Sequence, residues 1–547
     1  MKNLTKIFAV LTTSVLMLSS CIEETFPEGG SATAEQVGSS ASAIEASVNG
    51  IPAQMAQGYL VYGEQEHETD MGYPAMMIAQ TELLGDMYPL GSNSGYDWYR
   101  AYNTCPAAGN MGPDSYPAYL SWFSFYMFVK SANSVIAAVD LEDPNVTDVM
   151  KSYVGRAYVD RAFQYYYLML FWEPVENIYT DVKSVLGLTA PIVTEKTTGE
   201  EAKNNPRVKH DDMVAFILSD LDKAEELLQG TSSAGGLFPT LAVAYGVKAR
   251  VYMWDKDYKN AAKYARLAID TFGGAPTTQT QWLDLKSGFN TAVQSWMWYL
   301  HYSAENMGNL CNFTGWMSGE ADWGYSSLTF PGIDRSLYDG IAESDFRKYT
   351  FLDPSKYDFY NYETVRTKSY IEDDAPAYLS LKFRCGNGDW ENYAVGAAVD
   401  VPVMRVEEFY LMEAEAIGAS EGVSKGVNKL NSFMTTYRQP DYDFNTSDLR
   451  ELQLEVLKQM RIEFWGEGQA FAFAKRLKPG VMQNYAGTNA PDDTFKFNCK
   501  DIKPNWNFCI PQSELDANVA LQGKNNPNPT ATVTYPSKEG VYSEAKK

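Results

Sequence analysis

The sequence predicts a mostly helical protein, a scaffold of paired helices interrupted by an irregular lobe with short strands. Three observations carry this. Within residues 148–171, Val154, Tyr158, Ala162, Tyr165 and Met169 recur at the spacing of one helix face. Segments 241–253 and 259–271 are helical in pattern, joined by the polar turn Asp255-Lys256-Asp257, and place alanines where two helices would meet. From 273 to 403 the helical period fades and Gly, Asn, Asp, Trp and Tyr dominate.

The elements follow in order. Lys2 and Lys6 precede an apolar run from Ile7 to Leu18, too short and too early for a membrane span, so 1–20 reads as a signal peptide. It ends Leu18-Ser19-Ser20-Cys21, which resembles a bacterial lipobox. That resemblance implies cleavage before Cys21 and acylation of its thiol and new amine. Each buried methylene contributes about 0.8 kcal/mol, and anchoring becomes stable once two chains insert. Glu23 and Glu24 are similar to the surface-export tag of Bacteroidetes-type lipoproteins. Pro27, Gly29 and Gly30 make 21–30 a flexible tether. A first helix follows within 31–48, and further helices are expected at 117–139, 148–171 (ended by Pro174) and 211–228. The run Tyr165-Tyr166-Tyr167, at helical spacing, reads as core.

The pair at 241–253 and 259–271 resembles a tetratricopeptide repeat. Tyr245, Ala249 and Tyr252 fall in its first helix, and Ala261, Ala265 and Ala268 in its second. Alanines let antiparallel helices approach, and aromatics fill the gap to the next pair. The repeat's final proline is missing. A looser pair spans 406–417 and 422–437. One repeat cannot bury its own face, so divergent pairs must complete the scaffold. The last long helix, 448–466, opens with a capping box, Asp448-x-x-Glu451, and a short helix runs through 471–477. The organisation is therefore leader 1–20, tether 21–30, helical region 31–272, aromatic-rich lobe 273–403, and C-terminal helical region with tail 404–547.

Composition narrows the function. The formal charge is −24, with no basic cluster to offset it, which disfavours nucleic acid and anionic headgroups. Neither a metal nor a cofactor is expected. His67, His210 and His301 are far apart, and no phosphate-binding, dinucleotide or nucleophile-elbow motif occurs. His67 lies in a polar stretch, Glu64 to Asp70, that reads as a solvated loop in preference to a cation site on its carboxylates. Beyond Cys21 five cysteines remain, an odd count; Cys499 and Cys509 are either bridged or free buried thiols.

Three further stretches complete a pattern with the lipobox: Gly155-Arg156-Ala157-Tyr158-Val159-Asp160-Arg161-Ala162-Phe163-Gln164-Tyr165-Tyr166-Tyr167-Leu168; Arg461-x-Glu463-Phe464-x-x-Glu467-Gly468; and Ile510-Pro511-x-x-Glu514-Leu515-x-x-Asn518. In this order they resemble the SusD/RagB family of nutrient-binding outer-membrane lipoproteins, over nearly the whole mature chain. Gln469 stands where the family usually has Arg, and Val159 where an aromatic is common; both positions are structural. The resemblance implies four divergent tetratricopeptide-like pairs and a ligand site on the variable lobe. It also implies a surface-exposed, lipid-anchored location on the outer membrane. The partner would be a SusC-like TonB-dependent transporter, which supplies the energy for import.

A binder of this kind needs no catalysis, and the ligand expected is a glycan. Trp and Tyr offer flat faces for sugar rings with polar edges for hydroxyls. Stacking on an aromatic contributes about 1–3 kcal/mol for a nucleic-acid base, and sugars fall at or below the low end. Two loop clusters qualify: Tyr96, Asp97, Trp98, Tyr99, Arg100 and Tyr102 in a Gly/Ser/Asn-rich loop, and Trp316, Trp323 and Tyr325 among Gly315, Gly319 and Gly324. Asn93 and Glu320 are further polar candidates. The opposing possibility is that these rings fill the lobe's own small core. Peptide binding, as in the RagB branch, is the alternative on the same architecture, and a surface glycosidase is a third, without a motif. Trp296 and Trp298, alternating with apolar neighbours, read as a buried strand.

Overall fold

The computed structural model describes residues 41–61, 67–91, 94–105, 109–305, 310, 312–353 and 374–531. The leader, Cys21, the tether, Asn93 and Cys311 lie outside these residues. The principal helices are α1 (Ala41–Met55), α2 (Tyr73–Leu84), α3 (Tyr116–Ala138), α4 (Asp148–Trp172), α5 (His210–Leu227), α6 (Leu241–Asp255), α7 (Tyr258–Phe272), α8 (Glu407–Glu421), α9 (Val423–Tyr437), α10 (Leu449–Glu463) and α11 (Ala470–Leu477). From α3 to α9 each packs chiefly on its sequence neighbours, the arrangement of a helical solenoid.

Local chemistry explains the pairing. In the α6/α7 hairpin Lys256 adopts a left-handed conformation (φ 63°), and the Asp257 carboxylate accepts from Asn260 N at 3.1 Å, capping α7. Ala249, Ala261, Ala265 and Ala268 are fully buried, and Tyr252 stacks on Tyr264 at 5.4 Å. Between α8 and α9 glycines serve the same end: a Cβ on Gly426 would lie 2.6 Å from Gly418 Cα. At α10 the Asp448 cap forms, but the Glu451 carboxylate accepts from the Thr446 hydroxyl instead of closing the box.

Helix α4 is more enclosed than one apolar stripe implies, since from Ala157 to Trp172 every residue is buried. Its polar groups are paired: Arg161 donates to Asp220 through Nε at 2.7 Å and Nη2 at 2.8 Å, and the Tyr165 hydroxyl donates to Val193 O. Helix α2 is buried on all sides and so has no amphipathic period to betray it; Pro74 sits in its first turn.

Among the described residues the lobe is largely irregular. Strand β2 (Trp296–His301) pairs antiparallel with β4 (Asp400–Arg405), and Trp296 and Trp298 are buried in it. Strand β1 (Met87–Pro89), outside the lobe, pairs with β3 (Pro331–Ile333) inside it, which ties lobe to scaffold. The cysteines Cys105, Cys385, Cys499 and Cys509 are free thiols, so Cys499 and Cys509 are not bridged.

A buried charge cluster joins the parts. Glu463, fully buried at the end of α10, accepts from Arg347 Nη1 (3.0 Å), Arg405 Nη1 (3.0 Å) and Arg438 Nε (2.7 Å). Glu467 accepts from Lys382 Nζ (2.6 Å) and Arg405 Nε (2.7 Å). Asp345 pairs with Arg347, and Glu407 with Arg405 and Arg438. The guanidinium groups hold the Glu463 carboxyl, despite its burial, well below the usual carboxylate range. Glu463→Gln should therefore cost roughly 3–5 kcal/mol, because three buried cations lose their shared counter-charge. Urea unfolding measures this; a change under about 1 kcal/mol would contradict the cluster's role.

Candidate functional site

The two aromatic clusters of the sequence meet in space. In the first, a 3-10 turn (Ser94–Tyr96) leads into a short helix (Arg100–Asn103). This geometry turns Tyr96 and Trp98 outward, at 44% and 43% exposure, and Tyr99 and Tyr102, three residues apart, inward at 2% each. The short helix is held from beneath. Asn103 Nδ2 donates to Glu82 Oε2 of α2 (2.7 Å), and Lys503 Nζ donates to Tyr102 O (3.1 Å).

In the second cluster, Asn312 caps a short helix, Phe313–Met317, accepting from Gly315 N at 2.7 Å. The helix presents Trp316, whose indole N–H donates to Glu68 O at 3.1 Å. Gly324, at φ +78°, lies against Gly315: a Cβ there would approach Gly315 Cα to 2.8 Å. That contact folds Tyr325 back onto Trp316, where the rings stack 4.5 Å apart at 14°. Trp316 meets Tyr99 edge-on at 5.1 Å, and Tyr325 lies 6.3 Å from Tyr96. His67 extends the set, stacked on Tyr116 at 3.4 Å and edge-on to Trp98 at 5.9 Å.

Several expected positions are corrected by this geometry. Tyr99, Tyr102 and Trp316 are buried, so they act as the floor of the array and present no face to solvent. Tyr102 turns instead toward Phe508, 6.3 Å away. Trp323 is half-buried and stands apart, edge-on to the exposed Tyr393 at 6.4 Å. Arg100 is committed elsewhere: Nη2 bonds Thr494 Oγ1 at 2.9 Å and Asp492 Oδ2 at 3.4 Å, and the guanidinium lies over Phe495. Glu320 is buried against Arg384. Open faces therefore belong to Tyr96 and Trp98, with half-buried Tyr325 beside them. His67 and Tyr116 were not read as part of the site; a lone His in an acidic stretch and a Tyr at a helix start carry no sequence signal for meeting Trp98.

Beneath the rings Asp97 and Glu82 line a cavity of about 20 Å³, room for one water-sized group. Burial pushes the Asp97 carboxyl up to about 7, against the attraction of Arg100. Burial, and then the neighbouring Asp97, raise Glu82 well above its ordinary value. A larger cleft, about 360 Å³, opens between the ends of α4 and α6, but its titratable centre is already satisfied: His210 bridges Glu173 and Asp255, both at 3.1 Å. Among the described residues no group of three or more His, Cys, Asp and Glu is placed to hold a metal ion.

Residues 69–253 match the SusD-like family model described as starch-binding, associating with outer membrane, and residues 353–528 match the SusD family model. A SusD-like protein P38 from Formosa agariphila is 21% identical over 66% of this chain and 72% of that protein. A SusD-like protein of Bacteroides ovatus is 24% identical over 62% of each. Among solved structures, a SusD-like carbohydrate binding protein from Bacteroides vulgatus superposes with a TM-score of 0.68 at 21% identity, over 89% of this chain and 98% of that one. The surface glycan-binding protein A of Bacteroides thetaiotaomicron, in complex with laminarihexaose, superposes with a TM-score of 0.60 at 16% identity, over 88% and 98%. These structural likenesses establish a shared, mostly helical fold.

The Asp97 carboxyl makes stability depend on pH. Between about pH 4, its unfolded value, and about 7, the folded state keeps a proton that the unfolded chain has released. Stability from this group is full below that window and is lost as pH rises through it. Asp97→Asn should thus gain melting temperature relative to the parent as pH rises from 4 to 8. A difference that stays flat across the window would contradict the assignment.

Proposed function

The chain belongs to the SusD/RagB family, and from that premise we propose that it is a cell-surface glycan-binding lipoprotein that hands oligosaccharides to a TonB-dependent outer-membrane transporter. One observation carries the glycan reading: Tyr96 and Trp98 expose flat faces from a loop whose other rings are packed into a rigid floor. Such faces stack on the C–H side of a pyranose, and pre-packing lowers the ordering cost of binding. Two or three platforms at about 1 kcal/mol each, plus hydrogen bonds, give micromolar to millimolar affinity. Weak binding suits a protein that must release its ligand to a partner. The array is open, which supports glycans over the closed cavity that peptide capture requires.

The chain acts in this reading without catalysis. Glu82 and Asp97 form a buried carboxylate pair, but their cavity holds one water-sized group. Glycoside hydrolysis needs a sugar between two carboxyl groups about 5–9.5 Å apart. We assign lipidation to Cys21, which keeps the binder on the outer face of the membrane.

Trp98→Ala should weaken binding to a retained polysaccharide by at least about 1 kcal/mol, roughly fivefold, in affinity gels and calorimetry. Its melting temperature should hold, because the ring is exposed. Unchanged retention would remove Trp98 from the site. Cys21→Ala should move the protein from the membrane fraction to the soluble one; persistent membrane association would refute the anchor.

A further inference from the structure

The aromatic array is built from parts of the chain almost devoid of positive charge. No lysine or arginine lies between Lys6 and Arg100, between Arg100 and Lys130, or between Lys286 and Arg335. These stretches contribute His67, Tyr96, Trp98, Tyr99, Tyr102, Tyr116, Trp316 and Tyr325, every ring of the array. Of the chain's 45 basic residues they hold one, Arg100, against seventeen Asp and Glu. That one cation is spent within the fold, on Asp492, Thr494 and the face of Phe495.

The chain that carries the rings is thus acidic. Asp97, between the two exposed rings, is buried, and its Oδ2 has no hydrogen-bond partner. Glu68 lies at the edge of the floor, its carbonyl holding the Trp316 indole. The half-buried Glu68 side chain can accept from a sugar hydroxyl, whereas Asp97, enclosed below the rings, is out of a sugar's reach. The carboxylate of a uronate or a sulfate ester can only accept, and it brings negative charge to acidic stretches whose one cation, Arg100, is already paired.

Resting on the glycan reading above, we infer that the array takes uncharged glycans and excludes polyanionic ones. Exclusion is electrostatic: charged substituents would lose hydration and gain no free cation from the stretches that carry the rings.

The test uses the mature chain on immobilised polysaccharides presented as matched sets. Hydroxyethyl-cellulose is paired with carboxymethyl-cellulose, and laminarin and dextran each with their sulfated derivative. The hydroxyethyl group controls for bulk. For every parent that is retained, the anionic derivative should bind at least about tenfold more weakly. The deficit should shrink as NaCl rises from about 0.05 to about 0.5 M, because screening removes repulsion but not steric misfit. Glu68→Lys should restore part of the derivative's binding. Derivatives bound as well as their parents at low salt, or a deficit indifferent to salt, would overturn the inference and leave the glycan reading standing. Retention of neither parent nor derivative would overturn both.

Discussion

The fold depends on one obligation: the carboxylate of Glu463, taken wholly out of water, must be met by positive charge. Its three guanidinium partners come from three places, Arg347 from the lobe, Arg405 from the end of β4 and Arg438 from the end of α9. With Lys382, Glu467, Glu407 and Asp345 the cluster balances four cations against four carboxylates. A buried charge cluster adds little net stability over apolar packing of similar volume, but each broken pair is expensive. It therefore selects one placement of the irregular lobe, which has few regular hydrogen-bond ladders to do so.

That placement reaches the aromatic array through residues 461–468. Arg461 pairs with Asp86, and the Trp465 indole donates to Asp86 O at 2.9 Å, fixing the chain where β1 begins. Gly466, at φ +78°, lies so close to the lobe that a Cβ would come within 2.8 Å of Met317 Cε, next to Trp316. One helix end thus references both halves of the array, although they lie more than two hundred residues apart in sequence. On the proposed reading rigid support matters, because an open platform has no walls to gather a ligand and its affinity rests on rings that do not have to be ordered on binding. Gln469 takes part structurally, its amide donating to Val403 O at 3.3 Å.

Much of this was legible in the chain. Long helices with strong patterns, α3 to α7, fell within two residues of expectation because hydrophobic period and caps are local signals. Helix α2 was invisible for the opposite reason: a helix buried all round has no face to mark it. The convergence of two Gly-rich aromatic loops could be expected, but not which rings turn inward. Tyr96, Trp98, Tyr99 and Tyr102 are chemically alike, and only the change from 3-10 turn to helix sorts the outward pair from the inward pair. Arg100 illustrates the same limit. Adjacent to the rings in sequence, it is claimed by Asp492 and Thr494, nearly four hundred residues on.

The distribution of charge along the chain bears on what such a site can hold. A net charge of −24 would, on its own, repel other anionic macromolecules. The positive residues lie in the scaffold and the core cluster, in the latter four cations against four buried carboxylates, and are withheld from the loops that carry the rings. On the proposed glycan reading, the fold thus uses its cations to hold the platform still and leaves its face to apolar stacking and hydroxyl donors, the two things an uncharged sugar offers.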